Sequence, residues 1–134
     1  MIVVFDASSL VGAALKRDGA PRRALLAARQ RDTIALSRPV HAEIDEVRRR
    51  PKFAAVHTED RRLEIMDLLV APAVWIEPDV AVQDCRDAKD NKYLELALAV
   101  AAAVIVSGDA DLLDLSPWRG IRILRPAAFL IEAA

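Results

Sequence analysis

The chain has 134 residues, enough for one domain with a true hydrophobic core, and we predict a single domain over residues 1–134. Hydrophobic residues make up 54% and aromatic residues only 4%, which excludes a disordered chain and predicts a core of Ala, Val, Leu and Ile. The net charge of −1 hides an asymmetry, because residues 1–62 hold 13 Lys/Arg and 8 Asp/Glu, whereas residues 63–134 hold 6 and 12. The basic half is suited to phosphates and the acidic half to cations, although charged side chains also solvate helix faces.

The composition also argues against a membrane or secreted protein. The longest apolar run, Leu96–Val106, has 11 residues, well short of the roughly 20 that span a bilayer. The N-terminus lacks a basic region and carries Asp6 within its apolar stretch, which is not typical of a signal peptide. The single Cys85 excludes an intrachain disulfide. We therefore expect a cytoplasmic protein with no membrane partner.

The first half of the chain alternates strand and helix patterns. A β-rich apolar run is followed by helical spacing that Asp18-Gly19 interrupts, and Pro21 then opens a second helix. Ser37-Arg38-Pro39 starts a helix that ends before Pro51, and Thr58 is a suitable cap for the next. The predicted elements are strand Ile2–Phe5, helix Ser8–Lys16, a helix from Pro21 to about Arg31, strand Thr33–Leu36, a helix from Arg38 to about Arg50, and helix Thr58–Val70.

The second half continues the same alternation. Its main helix begins at Asp90 and is so apolar that we predict it to be buried against the sheet. The predicted elements are strand Ala73–Ile76, helix Asp90–Ala102, strand Val104–Val106, helix Asp109–Leu115, strand Ile121–Leu124 and helix Pro126–Glu132. Five strands interleaved with helices predict an α/β fold, with a five-stranded parallel sheet flanked by helices on both faces.

Four acids occupy element ends that should meet at one edge of this sheet. Asp6 and Asp109 follow the first and fourth strands, so both belong to the carboxyl edge. Glu43 lies in the first turns of a helix leaving that edge, and Asp90 begins the helix that leads into the fourth strand. Open α/β sheets bind their ligands at this edge. We therefore predict that Asp6, Glu43, Asp90 and Asp109 form one site.

Clustered carboxylates need a compensating charge. Two of them 4 Å apart repel by about 4 kcal/mol at an effective dielectric constant near 20, so such a cluster normally holds a cation or shares protons. Any one of Glu43, Asp90 and Asp109 could instead be a helix cap or a solvated residue. Asp6 is harder to explain this way, because an acid beside a buried strand must offset its desolvation. A divalent metal site is the leading hypothesis.

Five blocks of sequence stand around these acids: Ile2-Val3-Val4-Phe5-Asp6-Ala7-Ser8-Ser9-Leu10-Val11, Ala42-Glu43-Ile44, Arg50-Pro51-Lys52-Phe53, Cys85-Arg86-Asp87-Ala88-Lys89-Asp90-Asn91-Lys92-Tyr93-Leu94 and Val106-Ser107-Gly108-Asp109-Ala110-Asp111-Leu112-Leu113. Taken in this order, they resemble the PIN-domain proteins, and more narrowly the VapC-like ribonucleases that act as toxins of toxin–antitoxin systems. The resemblance implies a PIN-like domain in which Asp6, Glu43, Asp90 and Asp109 hold Mg²⁺ or Mn²⁺ for hydrolysis of RNA by metal-activated water.

Residues beside the four acids are secondary candidates. Ser8 stands where the family usually has Asn and keeps a hydroxyl that could orient Asp6, while Ser107 matches a small hydroxyl residue before the last acid. Asn91 and the neighbouring Lys92 could reach the scissile phosphate, and Asp111 could be an outer ligand or a solvated residue. The basic residues proposed to line an RNA path are Arg22, Arg23, Arg29, Arg48, Arg49, Arg50 and Lys52.

The resemblance also implies partners: an RNA substrate, a cognate antitoxin and a second copy of the chain. The apolar helices near 40–56 and 63–70 are candidates for the antitoxin groove. Ser8 keeps a second hypothesis open, a degenerate PIN domain that binds RNA or protein without cleavage. A receiver domain or a haloacid-dehalogenase-like phosphatase fits less well, because the phosphatase needs a further Asp at position 8 and the receiver needs a phospho-accepting Asp after its third strand.

Overall fold

The computed structural model describes residues 1–16, 18–51 and 58–133. Lys52 and Phe53 of the third block, and positions 52–56 of the expected partner groove, lie outside these residues. Within the described part, no helix combines the length and the apolar character that crossing a bilayer requires.

The centre of the molecule is a five-stranded parallel sheet. Its strands are β1 (Ile2–Phe5), β2 (Thr33–Leu36), β3 (Val74–Trp75), β4 (Val104–Val106) and β5 (Arg122–Leu124). Their spatial order is β3-β2-β1-β4-β5, and every neighbouring pair is parallel. The prediction of a five-stranded parallel α/β sheet is thus confirmed.

Helices fill the connections between the strands. They are α1 (Ala7–Leu15), α2 (Ala20–Arg31), α3 (Arg38–Arg48), α4 (Glu59–Val70), α5 (Asn91–Ala99), α6 (Ala110–Leu113) and α7 (Pro126–Ala133). The polar residues before several of them act as N-caps, as Ser37 accepts from the Val40 N–H at 3.4 Å and Thr58 from the Arg61 N–H at 3.2 Å. A single 3-10 turn, Ala88–Asp90, precedes α5.

The strand order places helices on both faces of the sheet. From β1 to β3 the chain moves toward one edge, and from β3 it crosses back to β4, so right-handed connections put α1 to α4 on one face and α5 on the other. Helix α5 contacts β1, β2 and β4, and its Tyr93, Leu94, Leu96 and Ala97 are buried. The prediction that this apolar helix packs against the sheet is confirmed.

Several predicted boundaries were wrong by one to three residues, with the largest difference at the end of the buried helix. The buried helix was expected to continue to Ala102, but α5 ends at Ala99 because Ala101 adopts a left-handed conformation with φ of 51°. There the Ala102 N–H bonds back to the Ala97 carbonyl at 2.9 Å and the Ala101 N–H to Leu98 at 3.2 Å, which closes the helix. The third strand was expected over Ala73–Ile76, but only Val74 and Trp75 pair with β2 as a strand.

Candidate functional site

The predicted site lies where the strand order of the sheet reverses. β1 has β2 on one side and β4 on the other, and Phe5 is in register with Val106 at the carboxyl ends of β1 and β4. Chains leaving these two strands depart in opposite directions, which opens a crevice of the kind that binds ligands in α/β proteins. An open cleft of about 340 Å³ occupies this position.

The cleft brings together all four predicted acids. Its lining includes the carboxylates of Asp6, Glu43, Asp87, Asp90 and Asp109 and the basic side chains of Arg50 and Lys89. The acids arrive from β1, α3, the start of α5 and the loop after β4, so they are remote in sequence and close in space. The parallel topology predicted that the four acids share one edge, and Asp87 joins them in the lining of the cleft.

Asp6 is buried directly beyond β1, with 2% of its surface exposed. Its carboxylate accepts a hydrogen bond from the Ser9 N–H at 2.9 Å and so caps α1. The Ser107 hydroxyl also donates to it, and the Ser8 Oγ lies 2.9 Å from both of its oxygens. Burial raises the pKa of Asp6, and the hydrogen bonds from Ser107, Ser9 and Ser8 oppose that rise.

Ser8 and Ser107 tie Asp6 to the loop that carries Asp109. The Ser8 Oγ accepts from the Gly108 N–H at 3.2 Å, and the Ser107 Oγ accepts from the Asp109 N–H at 2.9 Å. The Asp109 carboxylate in turn accepts from the Asp111 N–H at 2.9 Å and caps α6. Both serines therefore fix the relative position of Asp6 and Asp109.

Asp90 is the least satisfied of the acids. Only 8% of its surface is exposed, and its Oδ2 has no hydrogen-bond partner within the described residues. Burial is the main cause that raises the pKa of Asp90 to about 7, followed by a shared hydrogen bond with Asp109 and repulsion from the Asp109, Asp87 and Glu43 carboxylates. A buried carboxylate oxygen without a partner, on a residue that neighbouring acids repel, fits an arrangement that a cation would complete.

Glu43 differs from the other acids because two donors from α5 hold it. The Lys92 ammonium donates to Oε2 and the Tyr93 hydroxyl donates to Oε1. The Tyr93 oxygen also accepts from the Ala7 N–H at 3.1 Å. Burial, together with the bond to Glu43, raises the pKa of Tyr93, so its hydroxyl stays protonated. Tyr93 was not among the predicted site residues, because a tyrosine in an apolar helix fits the pattern of a core residue.

Two secondary candidates have other contacts. The Asn91 Oδ1 accepts from the Cys85 N–H at 2.9 Å and so fixes the loop before α5. Asp111 lies beside the cleft in a group with Asp87 and Asp90, in which one carboxylate oxygen of each lies within 4.8 Å of the others. The Arg86 guanidinium lies 3.0 Å from Asp111, so part of this charge is already neutralised.

The atoms available as metal ligands determine which cations would fit the cleft. The side chains that converge on the cleft offer carboxylate and hydroxyl oxygens, and the nearby Cys85 thiol is buried with a raised pKa, caused first by burial. Hard divalent cations such as Mg²⁺ and Mn²⁺ prefer oxygen ligands of this kind, while thiolate and imidazole sites favour softer metals. The acids and the unpartnered Asp90 oxygen are therefore consistent with a hard divalent ion.

Comparison with known proteins gives three similarities. A family model described as PIN domain matches residues 2–111. The uncharacterized protein MJ1680 of Methanocaldococcus jannaschii is 29% identical over 115 residues, which cover 84% of this chain and 74% of that protein. A chain in the crystal structure of VapBC2 from Rickettsia felis, bound to a DNA fragment from their promoter, superposes with a TM-score of 0.61 at 14% identity, covering 92% of this chain and 97% of that one. At this low identity, the last likeness concerns the fold.

Proposed function

The chain belongs to the PIN domain family, and from this premise we propose that it is a Mg²⁺- or Mn²⁺-dependent endoribonuclease of the VapC type, acting as the toxin of a type II toxin–antitoxin system in the cytoplasm. The observation that carries the proposal is the convergence of Asp6, Glu43, Asp90 and Asp109 on one cleft, with a buried Asp90 oxygen that has no partner within the described residues. RNA is the proposed substrate.

The four acids divide into two roles in the proposed reaction. Asp6, Asp90 and Asp109 would hold the cation, since they surround the crevice between β1 and β4. Glu43, already engaged by Lys92 and Tyr93, would bind the cation through a water molecule or orient the attacking water. A bound divalent cation supplies positive charge that activates water and offsets the charge that develops on the phosphate. Ser8 and Ser107 would keep Asp6 and Asp109 at a fixed separation.

The basic rim supports a phosphate-bearing substrate. Lys89 is exposed at the edge of the cleft, and Arg50 lies on the same rim, where Glu46 pairs with its guanidinium at 2.9 Å. Cations at such a rim attract the backbone of a nucleic acid without reading its sequence. A third cation, the Lys92 ammonium in the first turn of α5, is bound to Glu43.

An apolar groove beside the cleft supports the proposed antitoxin. It is lined by Leu10, Val11, Ile44, Val47, Ile65 and Met66, together with Ala7, Ala14, Arg48 and Arg62. From the predicted partner surface, Ile44, Val47, Ile65 and Met66 thus contribute to it. We propose that an antitoxin segment occupies this groove and that the chain forms a homodimer, and the fold shared with the VapBC2 chain agrees with such an assembly.

Cleavage of a mixed RNA pool tests the proposed activity. The purified protein should cut RNA in Mn²⁺ and stop in EDTA, and Asp90→Asn and Asp109→Asn should fall to background because each removes a charged ligand oxygen. Asp79→Asn is the matched control, since Asp79 is an exposed acid outside the cleft. Sequencing of fragment ends would identify the cleavage position.

Full cleavage by Asp90→Asn would contradict the assignment of these acids as cation ligands.

A second candidate function, an RNA- or protein-binding PIN domain without cleavage, is favoured by Ala7 and Ser8 in the first motif. RNA binding without any cut in Mn²⁺ would select this alternative.

A further inference from the structure

The Tyr93 hydroxyl connects two parts of the cleft that are distant in sequence. Tyr93 is 1% exposed, and its oxygen lies between the Ala7 N–H at the start of α1 and the Glu43 carboxylate of α3. Ala7 directly follows Asp6 in the chain. One phenolic group therefore links the helix that Asp6 caps to the helix that carries Glu43.

The chemistry of the groups fixes the direction of both bonds. A backbone N–H can only donate, so the Tyr93 oxygen accepts from Ala7. A phenol has one proton, and that proton is left to be donated to Oε1 of Glu43. Lys92, the preceding residue of α5, donates to the other oxygen, Oε2. Both Glu43 oxygens thus have a defined donor from one turn of α5.

We propose that Tyr93 is a positioning residue that fixes the Glu43 carboxylate relative to Asp6 for the metal-dependent reaction. This inference rests on the proposed function. Lys92 balances the charge of Glu43 but joins it by a flexible side chain, whereas the rigid, buried ring of Tyr93 sets its orientation. Tyr93 thus acts through Glu43 and does not touch the substrate. Residues that orient ligands in this way typically change metal affinity or activity by about 10- to 100-fold when they are replaced.

The test uses Tyr93→Phe, which removes only the hydroxyl and keeps the ring. Mn²⁺ affinity is measured by titration calorimetry without RNA, and kcat and KM are measured for cleavage at saturating Mn²⁺. We expect about a 10-fold loss in Mn²⁺ affinity and in kcat, with KM for RNA changed less than about 2-fold. Thermal unfolding of the metal-free proteins identifies a temperature at which every variant is folded.

A double-mutant cycle with Glu43→Gln separates positioning from a general structural effect. If Tyr93 acts through Glu43, adding Tyr93→Phe to Glu43→Gln should cause no further loss of Mn²⁺ affinity. Leu98→Ala is the matched control, because Leu98 is a partly buried residue of α5 that packs on the core and lies outside the cleft lining. It should lower the melting temperature, leave Mn²⁺ affinity unchanged and combine additively with Glu43→Gln.

The outcomes distinguish this inference from the proposed function. Mn²⁺ binding and cleavage by the unmutated chain, with an unchanged affinity in Tyr93→Phe, overturn the role of Tyr93 alone. Additive losses in the double variant overturn it as well. An unmutated chain that neither binds Mn²⁺ nor cleaves RNA overturns the nuclease, and the positioning role with it.

Discussion

At the residue scale, Asp90 lowers the stability of the metal-free fold but is required for the proposed activity. Its pKa is about 7, against an ordinary value of 3.8, because it is buried beside other carboxylates. The folded state therefore favours the protonated acid. Below about pH 3.8 the folded and unfolded chains both carry the proton, so Asp90 does not lower the free energy of unfolding. As pH rises toward 7, the unfolded chain releases this proton more easily than the folded chain, and the free energy of unfolding falls. Above pH 7 this loss of stability is complete.

Asp90→Asn should therefore stabilise the metal-free protein at pH 8 while abolishing the proposed cleavage. A shift of one pKa unit corresponds to about 1.4 kcal/mol of stability. We expect the free energy of unfolding to rise by roughly 1 to 3 kcal/mol, less than the full shift implies, because the titration is shared among several carboxylates. Chemical denaturation in EDTA at pH 8 and pH 5 measures it, and the gain should shrink at pH 5. An Asn variant less stable than the unmutated chain at pH 8 would contradict the assigned repulsion.

The sequence predicted that the four acids meet and selected Ser8 and Ser107 beside them, but it did not predict the bond from Tyr93 to Glu43. The shared edge of the acids followed from the parallel alternation alone, since residues after parallel strands and at the start of the connecting helices lie at the carboxyl edge. The hydroxyl of Tyr93 could not be located in this way, because periodicity assigns a residue to a buried face without telling where its polar end points. The bond from Asn91 to the Cys85 N–H was missed for a related reason, as it depends on the path of the loop before α5.

At the scale of the elements, the end of α5 shows why boundaries were harder to predict than the helices themselves. The sequence Ala97 to Ala103 contains good helix formers and no Gly or Pro to mark a stop. The stop is set by tertiary structure, because Ala103 must donate its N–H to the Ile2 carbonyl at 2.9 Å as the chain enters β4. Ala101 adopts the left-handed conformation that this turn requires.

Ala101→Gly should stabilise the protein. A left-handed conformation costs a residue with a Cβ about 1 to 2 kcal/mol, and glycine adopts it without this strain but loses some entropy on folding. We expect a net gain of about 0.5 to 1 kcal/mol, measured by chemical denaturation. Ala27→Gly, in the middle of α2, is the control, and its free energy of unfolding should fall by about 0.5 to 1 kcal/mol. A loss in Ala101→Gly comparable to that of the control would argue against the left-handed turn.

At the scale of the whole molecule, strand order accounts for the position of the cleft. The chain places β1 and β4 side by side although about 100 residues separate them, and this pairing brings Asp6 next to the loop that carries Asp109. The alternation of strands and helices predicted the class of fold, but not which strands are neighbours. Strand order is set by how the helices pack on the two faces, and no local pattern encodes that.

Cation binding should therefore stabilise the entire fold, because the ligands come from elements spread along the chain and exist together only in the folded state. With Mn²⁺ at 100 times its dissociation constant, the folded state gains about 2.7 kcal/mol, which corresponds to a rise in melting temperature of roughly 8 to 16 °C for a domain of this size. Thermal unfolding in EDTA and in Mn²⁺ at matched ionic strength measures the rise. Asp109→Asn should lose most of it, whereas Asp79→Asn should retain it. A melting temperature of the unmutated chain that Mn²⁺ and Mg²⁺ both leave unchanged would show that the converging acids do not form a cation site.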